Sequence, residues 1–329
     1  MNLKLIDFAI ESYRPKLDDA GRARLAFFRG IWKIQQRFEE QASGGDQGGY
    51  PLPDPDTLDG WYWDEHPVLF WQPVDVDREA LASCATQIAR YLIESGTLDD
   101  ATVSALASTD FSQLVEERKL AQAGREPGAW LEAQARRCSD DSQLMVLSLA
   151  LRAMIEPAQQ AVSKALERRL RDEVHDHLKQ TRCPVCGCSP TIAYVGPTDA
   201  SSGNAQRLYC GQCGHTWEFE RIRCPQCGTQ SPERLHYFNL PGDEAHRIHA
   251  CVACGGYTRT VFADATSSVP FVPEVEDVVM APLDALAQDG TLDKAVREHP
   301  ERTYRPYGDA PLPAEAPLAP DASDAGAKG

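Results

Sequence analysis

Apolar residues recur at helical spacing along most of the first 180 positions and give way to short alternating runs beyond them. From about Asp18 to Ala42, Leu25, Phe28, Ile31 with Trp32, and Phe38 share a face, and Asp18 or Asp19 stands in place as N-cap, which predicts a helix. Residues 44–77 break the pattern. Gly48, Gly49, Pro51, Pro53, Pro55, Pro67 and Pro73 surround Trp61, Tyr62, Trp63, Phe70 and Trp71, so this stretch reads as a long loop whose rings either cover the helical core or form a partner-binding surface. Helical spacing returns at Leu81, Cys84 with Ala85, Ile88 and Tyr91 with Leu92, and Gly96 supplies a stop. Shorter helical pieces follow at 99–108, 110–123 and 129–138. A long amphipathic run from Asp141 to Lys179 is interrupted by Pro157, which predicts a kink or two abutting helices.

Period 2 replaces period 3.6 in the next stretch. Thr216–Arg223 places Trp217 and Phe219 on one side of a strand, and Arg207–Tyr209 and Tyr257–Phe262 read as further short strands. Beyond Pro270 and Pro273 the spacing predicts a helix at 275–288 and a short piece at 291–298. Residues 308–329, almost all Ala, Pro, Asp and Gly, carry too little apolar surface to fold and are expected to be disordered.

The strand region holds the chemistry. Four C-x-x-C pairs lie there: Cys183/Cys186, Cys210/Cys213, Cys224/Cys227 and Cys251/Cys254. Two residues between thiolates let both sulfurs face one tetrahedral ion, and the Gly that follows each pair tolerates the positive φ of such a knuckle. The spacing repeats, with 23 residues between Cys186 and Cys210 and 23 between Cys227 and Cys251, so a shift of 41 positions lays one half on the other. A tandem duplication predicts that Cys183, Cys186, Cys210 and Cys213 hold one ion and Cys224, Cys227, Cys251 and Cys254 a second. The alternative joins Cys210/Cys213 to Cys224/Cys227 across the short connection; it strands the outer pairs and breaks the repeat.

Three further cysteines stand outside these pairs. Cys84 lies on an apolar helix face as a core thiol, Cys138 sits beside Arg136 and Arg137 as a reactive or an incidental thiol, and Cys188 is either a small filler or a ligand-swap or redox site. His175 and His177 precede the first knuckle as stand-in ligands that a complete set of four thiolates does not need.

With all four positions of each ion taken by sulfur, neither site has room for a substrate or an activated water, so the predicted role is structural and no enzyme is implied. Zinc and iron both suit four thiolates in a C-P-x-C-G setting, and the sequence does not choose between them. A structural ion contributes apparent binding energy on the order of 10–16 kcal/mol to a ribbon with almost no core of its own.

The 329 residues carry a formal net charge of −16 with 42% hydrophobic composition, enough for a sizeable core and unfavourable for nucleic acid or an anionic membrane as main partner. Arg234, Arg247 and Arg259 are too few to offset that. Asp7 and Glu11 interrupt the first residues, no small-residue cleavage site follows, and the longest apolar run, near Leu144–Ile155, is too short to span a bilayer. Eight thiols in C-x-x-C pairs without an export signal point to a reducing cytoplasm and no membrane insertion. The expected fold class is α+β: a mainly helical domain (1–180), two tandem rubredoxin-like zinc-ribbon β modules (181–222 and 223–266), a short C-terminal helical extension (267–307) and the tail (308–329).

That order and the wording of the motifs resemble the formate dehydrogenase accessory (formation) protein family. The resemblance is carried by Cys183-Pro-Val-Cys186-Gly187, by Arg207-Leu-Tyr-Cys210-Gly-Gln-Cys213 with Trp217, by Arg221-Ile-Arg-Cys224 with Cys227-Gly228, by Cys251-Val-Ala-Cys254-Gly-Gly-Tyr257, and by Pro273-Glu-Val-Glu-Asp277 with Leu283-Asp284. It is specific over about 180–290 and general, as a helical segment, over 18–180. The loop at 44–77, Cys188 in place of Ser and the tail after 307 depart from the family pattern. The resemblance implies a cytoplasmic protein that binds the molybdenum- or tungsten-containing catalytic subunit of formate dehydrogenase during maturation, before twin-arginine export. A rubredoxin-like iron electron carrier is the alternative, and self-association stays open.

Overall fold

The computed structural model describes residues 1–43, 49–170, 178–198, 201–240, 242–263 and 271–288. His175, His177, the expected helix at 291–298 and the tail at 308–329 lie outside them. In order, α1 (Leu3–Tyr13), α2 (Asp19–Ser43), α3 (Pro55–Trp63), α4 (Val68–Trp71), α5 (Arg78–Glu94), α6 (Asp100–Ala107), α7 (Phe111–Leu114), α8 (Glu117–Arg125), α9 (Pro127–Ala135) and α10 (Asp141–Leu170) precede the strands. These are β1 (Ile192–Thr198), β2 (Ser201–Tyr209), β3 (Thr216–Phe219), β4 (Leu235–Phe238), β5 (His246–Cys251) and β6 (Tyr257–Phe262), followed by α11 (Pro273–Val279) and α12 (Ala281–Gln288). Helices first, a sheet carrying the cysteines next and short helices last make the fold α+β, and among the described residues no helix is long and apolar enough to cross a membrane.

Local chemistry explains where the structure departs from the periodicity. The stretch 44–77 is not one loop: the Asp54 side chain accepts the Thr57 amide and Pro55 sits in the first turn, which starts α3, and Pro67 directly precedes α4. Prolines there begin helices, where a missing N–H costs nothing. Tyr62, Leu58, Val68 and Leu69 are buried, whereas Trp71 is 49% exposed and stacks on Trp61 at 6.4 Å. The first residues, without a predicted element, form α1, capped by Asn2 and burying Ile6, Ala9 and Tyr13.

Two predicted helices are split. At 110–123, Val115 is extended at the end of α7, and its carbonyl accepts from Arg78 Nε at 3.0 Å. At 275–288, α11 ends at Val279 with Met280 as its cap at ψ 1°, and α12 begins at Ala281 with Pro282 in its first turn, where a missing N–H costs nothing. The reverse holds at Pro157, where α10 runs on as one helix. Ala153, Ile155, Ala158 and Val162 around it are all buried in the main core, and that burial outweighs a lost backbone bond costing about 3 kcal/mol.

All six strands form one sheet, in the order β3-β2-β1-β6-β5-β4, with β1 and β6 parallel and the other neighbours antiparallel. The shift of 41 lays β1 on β4, β2 on β5 and β3 on β6, so the two ribbons are lateral copies, three strand spacings or roughly 14 Å apart. On one face Ala193, Leu208, Trp217 and Phe219 join the core of the helical body. On the other, Ile192, Tyr209, Ile248, Ala250 and Val261 pack against Met280 and Leu283, next to α11 and on α12.

Candidate metal centres

Each C-x-x-C pair folds into the same knuckle. The amide of the following Gly donates to the carbonyl of the first Cys at 2.8–2.9 Å, in Gly187→Cys183, Gly214→Cys210, Gly228→Cys224 and Gly255→Cys251. The first Cys amide in turn donates to the carbonyl five residues on, in Cys183→Cys188, Cys210→His215, Cys224→Thr229 and Cys251→Gly256. Closing both bonds puts the four glycines at φ between +70° and +84°, where a Cβ is strained.

The knuckles converge pairwise. Sulfurs of Cys183, Cys186, Cys210 and Cys213 lie within 4.8 Å of one another, as do those of Cys224, Cys227, Cys251 and Cys254. Sγ–Sγ distances are 3.5 Å for Cys183–Cys213 and Cys186–Cys210, and 3.9 Å for Cys224–Cys254 and Cys227–Cys251. A metal–sulfur bond of about 2.3 Å gives a tetrahedron edge of about 3.8 Å, so both clusters fit one zinc- or iron-sized ion. This grouping follows the repeat and differs from the middle pairing.

The two sites have unlike surroundings. The first is enclosed: its four cysteines are at most 3% exposed and belong to the main core. The amides of Val68 and Leu69, opening α4, donate to the Pro184 and Val185 carbonyls at 2.9 Å, and α10 covers the other knuckle. There Arg152 donates to the Gly211 carbonyl at 3.3 Å, Ser148 to the Gln212 side chain at 2.9 Å, and Ser163 lies 2.6 Å from His215 Nδ1. In the second site Cys224 and Cys251 are buried but Cys227 and Cys254 are exposed. The repeat has diverged accordingly: Leu208, Trp217 and Phe219, which meet the helical body, correspond to His249, Thr258 and Thr260.

The remaining cysteines lie outside the two four-sulfur sets, although the Cys188 thiol reaches the sulfurs of Cys186 and Cys210. Cys84 is fully buried, and burial pushes its thiol up to about 12. Burial also raises Cys138 despite Arg137, which argues against a reactive thiol there. Cys188 is half-buried beside the first site, with its carbonyl closing the Cys183 knuckle.

Two polar clusters were invisible to periodicity because their members come from distant elements. Arg152 pairs with Glu274 at 2.5 Å and with Glu156 at 3.4 Å, and Tyr209 donates to Glu274 at 3.0 Å. Burial pushes the Glu274 carboxyl up, but the Arg152 guanidinium holds it below its ordinary range. Tyr13, His246 and Glu276 meet between α1, β5 and α11, and Asp243 faces the second ring nitrogen of His246 at 2.8 Å. Burial alone lowers the His246 pKa; hydrogen bonds to Asp243 and Glu276 overcome it and raise the ring to about 9.

The fold and its sites define an α+β protein in which a helical body carries two adjacent four-thiol ribbons. No family model matches the chain. It is 29% identical over 123 residues to the protein FdhE homolog of Aquifex aeolicus, covering 37% of this chain and 42% of that protein. It is 30% identical over 97 residues to the protein FdhE homolog of Shewanella baltica (strain OS223), covering 29% and 31%. The chain thus spans less than half the length of the curated relatives it matches. The crystal structure of the FdhE protein from Pseudomonas aeruginosa superposes with a TM-score of 0.51 at 18% identity, over 88% of this chain and 93% of that one, which is a likeness of fold. The chain is thus similar in sequence, over part of its length, to proteins named FdhE homolog, and in fold to the FdhE protein.

Proposed function

We propose that this protein assists formate dehydrogenase assembly by binding the molybdenum- or tungsten-containing catalytic subunit in the cytoplasm, and that each four-cysteine cluster holds one zinc or iron ion. The observation that carries the metal assignment is the convergence of eight sulfurs into two sets with tetrahedral edge lengths. The residues fit such ions, and the ions would supply cross-links that replace missing core. Four thiolates per ion leave no open position, which supports a binding role over catalysis. The charge of −16 supports a protein partner over nucleic acid. In this reading 181–222 and 223–266 are the two ion-binding units and 1–180 the body that carries them.

Exposure of Cys227 and Cys254 favours a second reading, a rubredoxin-like iron centre that exchanges electrons at the surface. Elemental analysis and a visible spectrum of protein purified without oxygen separate the two. Two zinc per chain without colour, together with capture of the catalytic subunit, is the result expected of a structural scaffold. Two iron with a reducible thiolate band would favour electron transfer, and no capture in either metal state would overturn the accessory role.

A further inference from the structure

The internal repeat permits a comparison of surfaces within one chain. Shifted by 41 positions, the loop Gly211–Gly214 falls on Val252–Gly255. The first loop lies under α10, which reaches it through Ser148 and Arg152, one helical turn apart, and Gln212 returns a bond to the Ser148 carbonyl at 3.3 Å. At the second loop Val252, Ala253, Cys254 and Gly255 are all exposed, Val252 by 42%. Among the described residues no hydrogen bond reaches the Val252 or Ala253 carbonyl, although the Val252 amide is held by the Arg234 carbonyl at 3.0 Å.

The difference extends to the sheet face toward the helical body, where His249, Thr258 and Thr260 stand in place of Leu208, Trp217 and Phe219, but not to the opposite face. On the sheet face below α12, both halves are covered alike, by Met280 and Leu283 against Ile192, Tyr209, Ile248 and Val261. The substitutions also have a direction. Where α10 meets Gly211 and Gln212 with polar side chains, the second loop offers Val252 and Ala253, so a helix seated there gains by presenting apolar residues. Arg234, exposed beside the loop, takes no ion pair among the described residues and adds a preference for a carboxylate.

We infer that the Val252–Gly255 loop, with Cys227 beside it, is the docking surface for a helix of the partner protein, laid across it as α10 lies across Gly211–Gly214. Such a helix carries two apolar residues four positions apart, a long side-chain donor for the Val252 carbonyl and an acidic residue for Arg234. This rests on the accessory-protein reading and assigns that partner, the formate dehydrogenase catalytic subunit, to the second ribbon.

The test compares full-length metal-loaded protein with Val252→Asp and, as a control, Phe8→Asp, which alters a still more exposed apolar residue on α1 (Phe8 is 61% exposed). Binding to the purified catalytic subunit is measured alongside metal content, thermal unfolding and hydrogen exchange of residues 252–255. The expected result is at least tenfold weaker binding by Val252→Asp, unchanged binding by Phe8→Asp, unchanged metal content and melting in both, and slowed exchange at 252–255 in the wild-type complex. Equal binding by wild type and Val252→Asp would overturn the surface while leaving the accessory role standing. A wild type that binds no catalytic subunit would overturn both. Concentration-dependent self-association abolished by Val252→Asp, with subunit binding intact, would assign the loop to a second copy of this chain and overturn the proposal.

Discussion

The Tyr13 hydroxyl donates to the Glu276 carboxylate, 2.8 Å to Oε2, with both side chains at most 3% exposed. Through this bond the first helix is tied to α11, and through His246 Nε2, 3.0 Å from the same oxygen, to the start of β5. Tyr13→Phe keeps the ring and removes the donor. An expected loss of about 1–3 kcal/mol follows from leaving a buried carboxylate short of one partner, measured by denaturant unfolding of the metal-loaded protein.

The same node sets a pH dependence. The His246 pKa is raised from 6.5 to about 9 in the folded chain, so the protonated ring favours the folded state. Its stabilisation is fully present below the unfolded value, near pH 6.5, and is lost as pH rises through about 9. The contribution is on the order of 3 kcal/mol for a shift of this size. His246→Gln is expected to flatten the fall in unfolding free energy between pH 7 and 10; an unchanged slope would remove His246 as its source.

Arg152 holds three acceptors at once: Glu274, Glu156 and the Gly211 carbonyl. Arg152→Ala leaves the buried Glu274 carboxylate without its cation and Glu156 with the terminal ammonium of Met1 alone, at 2.6 Å, and loosens α10 from the first ribbon. A loss of about 3–5 kcal/mol is expected, against a much smaller loss for the exposed pair partner variant Arg14→Ala. Thermal melts of the two variants, run side by side, decide it.

The two metal centres are expected to come apart in order. A chelator reaches Cys227 and Cys254 directly, whereas the first site opens only with the core that contains its sulfurs. Metal release should be biphasic, one ion per phase, with the first phase at least tenfold faster. Cys254→Ser should abolish the fast phase alone.

Cys210→Ser, by contrast, removes a proposed ligand whose side chain is itself part of the main core. Loss of one ion, unfolding of the first ribbon and loss of partner binding are expected together, because metal affinity there is folding free energy. A variant retaining two ions and normal binding would refute four thiolates per ion at that site.

Much of this was legible along the chain, since it depends on short-range chemistry. The four knuckles need only two residues between cysteines and a Gly after them, and both the hydrogen bonds and the positive φ values appear at all four. Amphipathic spacing likewise placed α2 and α5, because one buried stripe suffices to define a surface helix. Spacing left open what tertiary contacts decide: the core around Pro157 carries α10 on as one helix in place of two abutting ones, and Arg78 holds open the break between α7 and α8.

The sequence by itself determined which cysteines form pairs, that the pairs repeat, and the succession of helices, ribbons and helices. Only the tertiary structure decided that the copies lie side by side in one sheet, since pairing β1 with β6 joins strands far apart in the chain and their register is a property of neither. It also decided that identical knuckles differ in exposure. Local geometry closes each around a tetrahedral set, but burial depends on what else the chain brings alongside, and among the described residues α4 and α10 reach only the first.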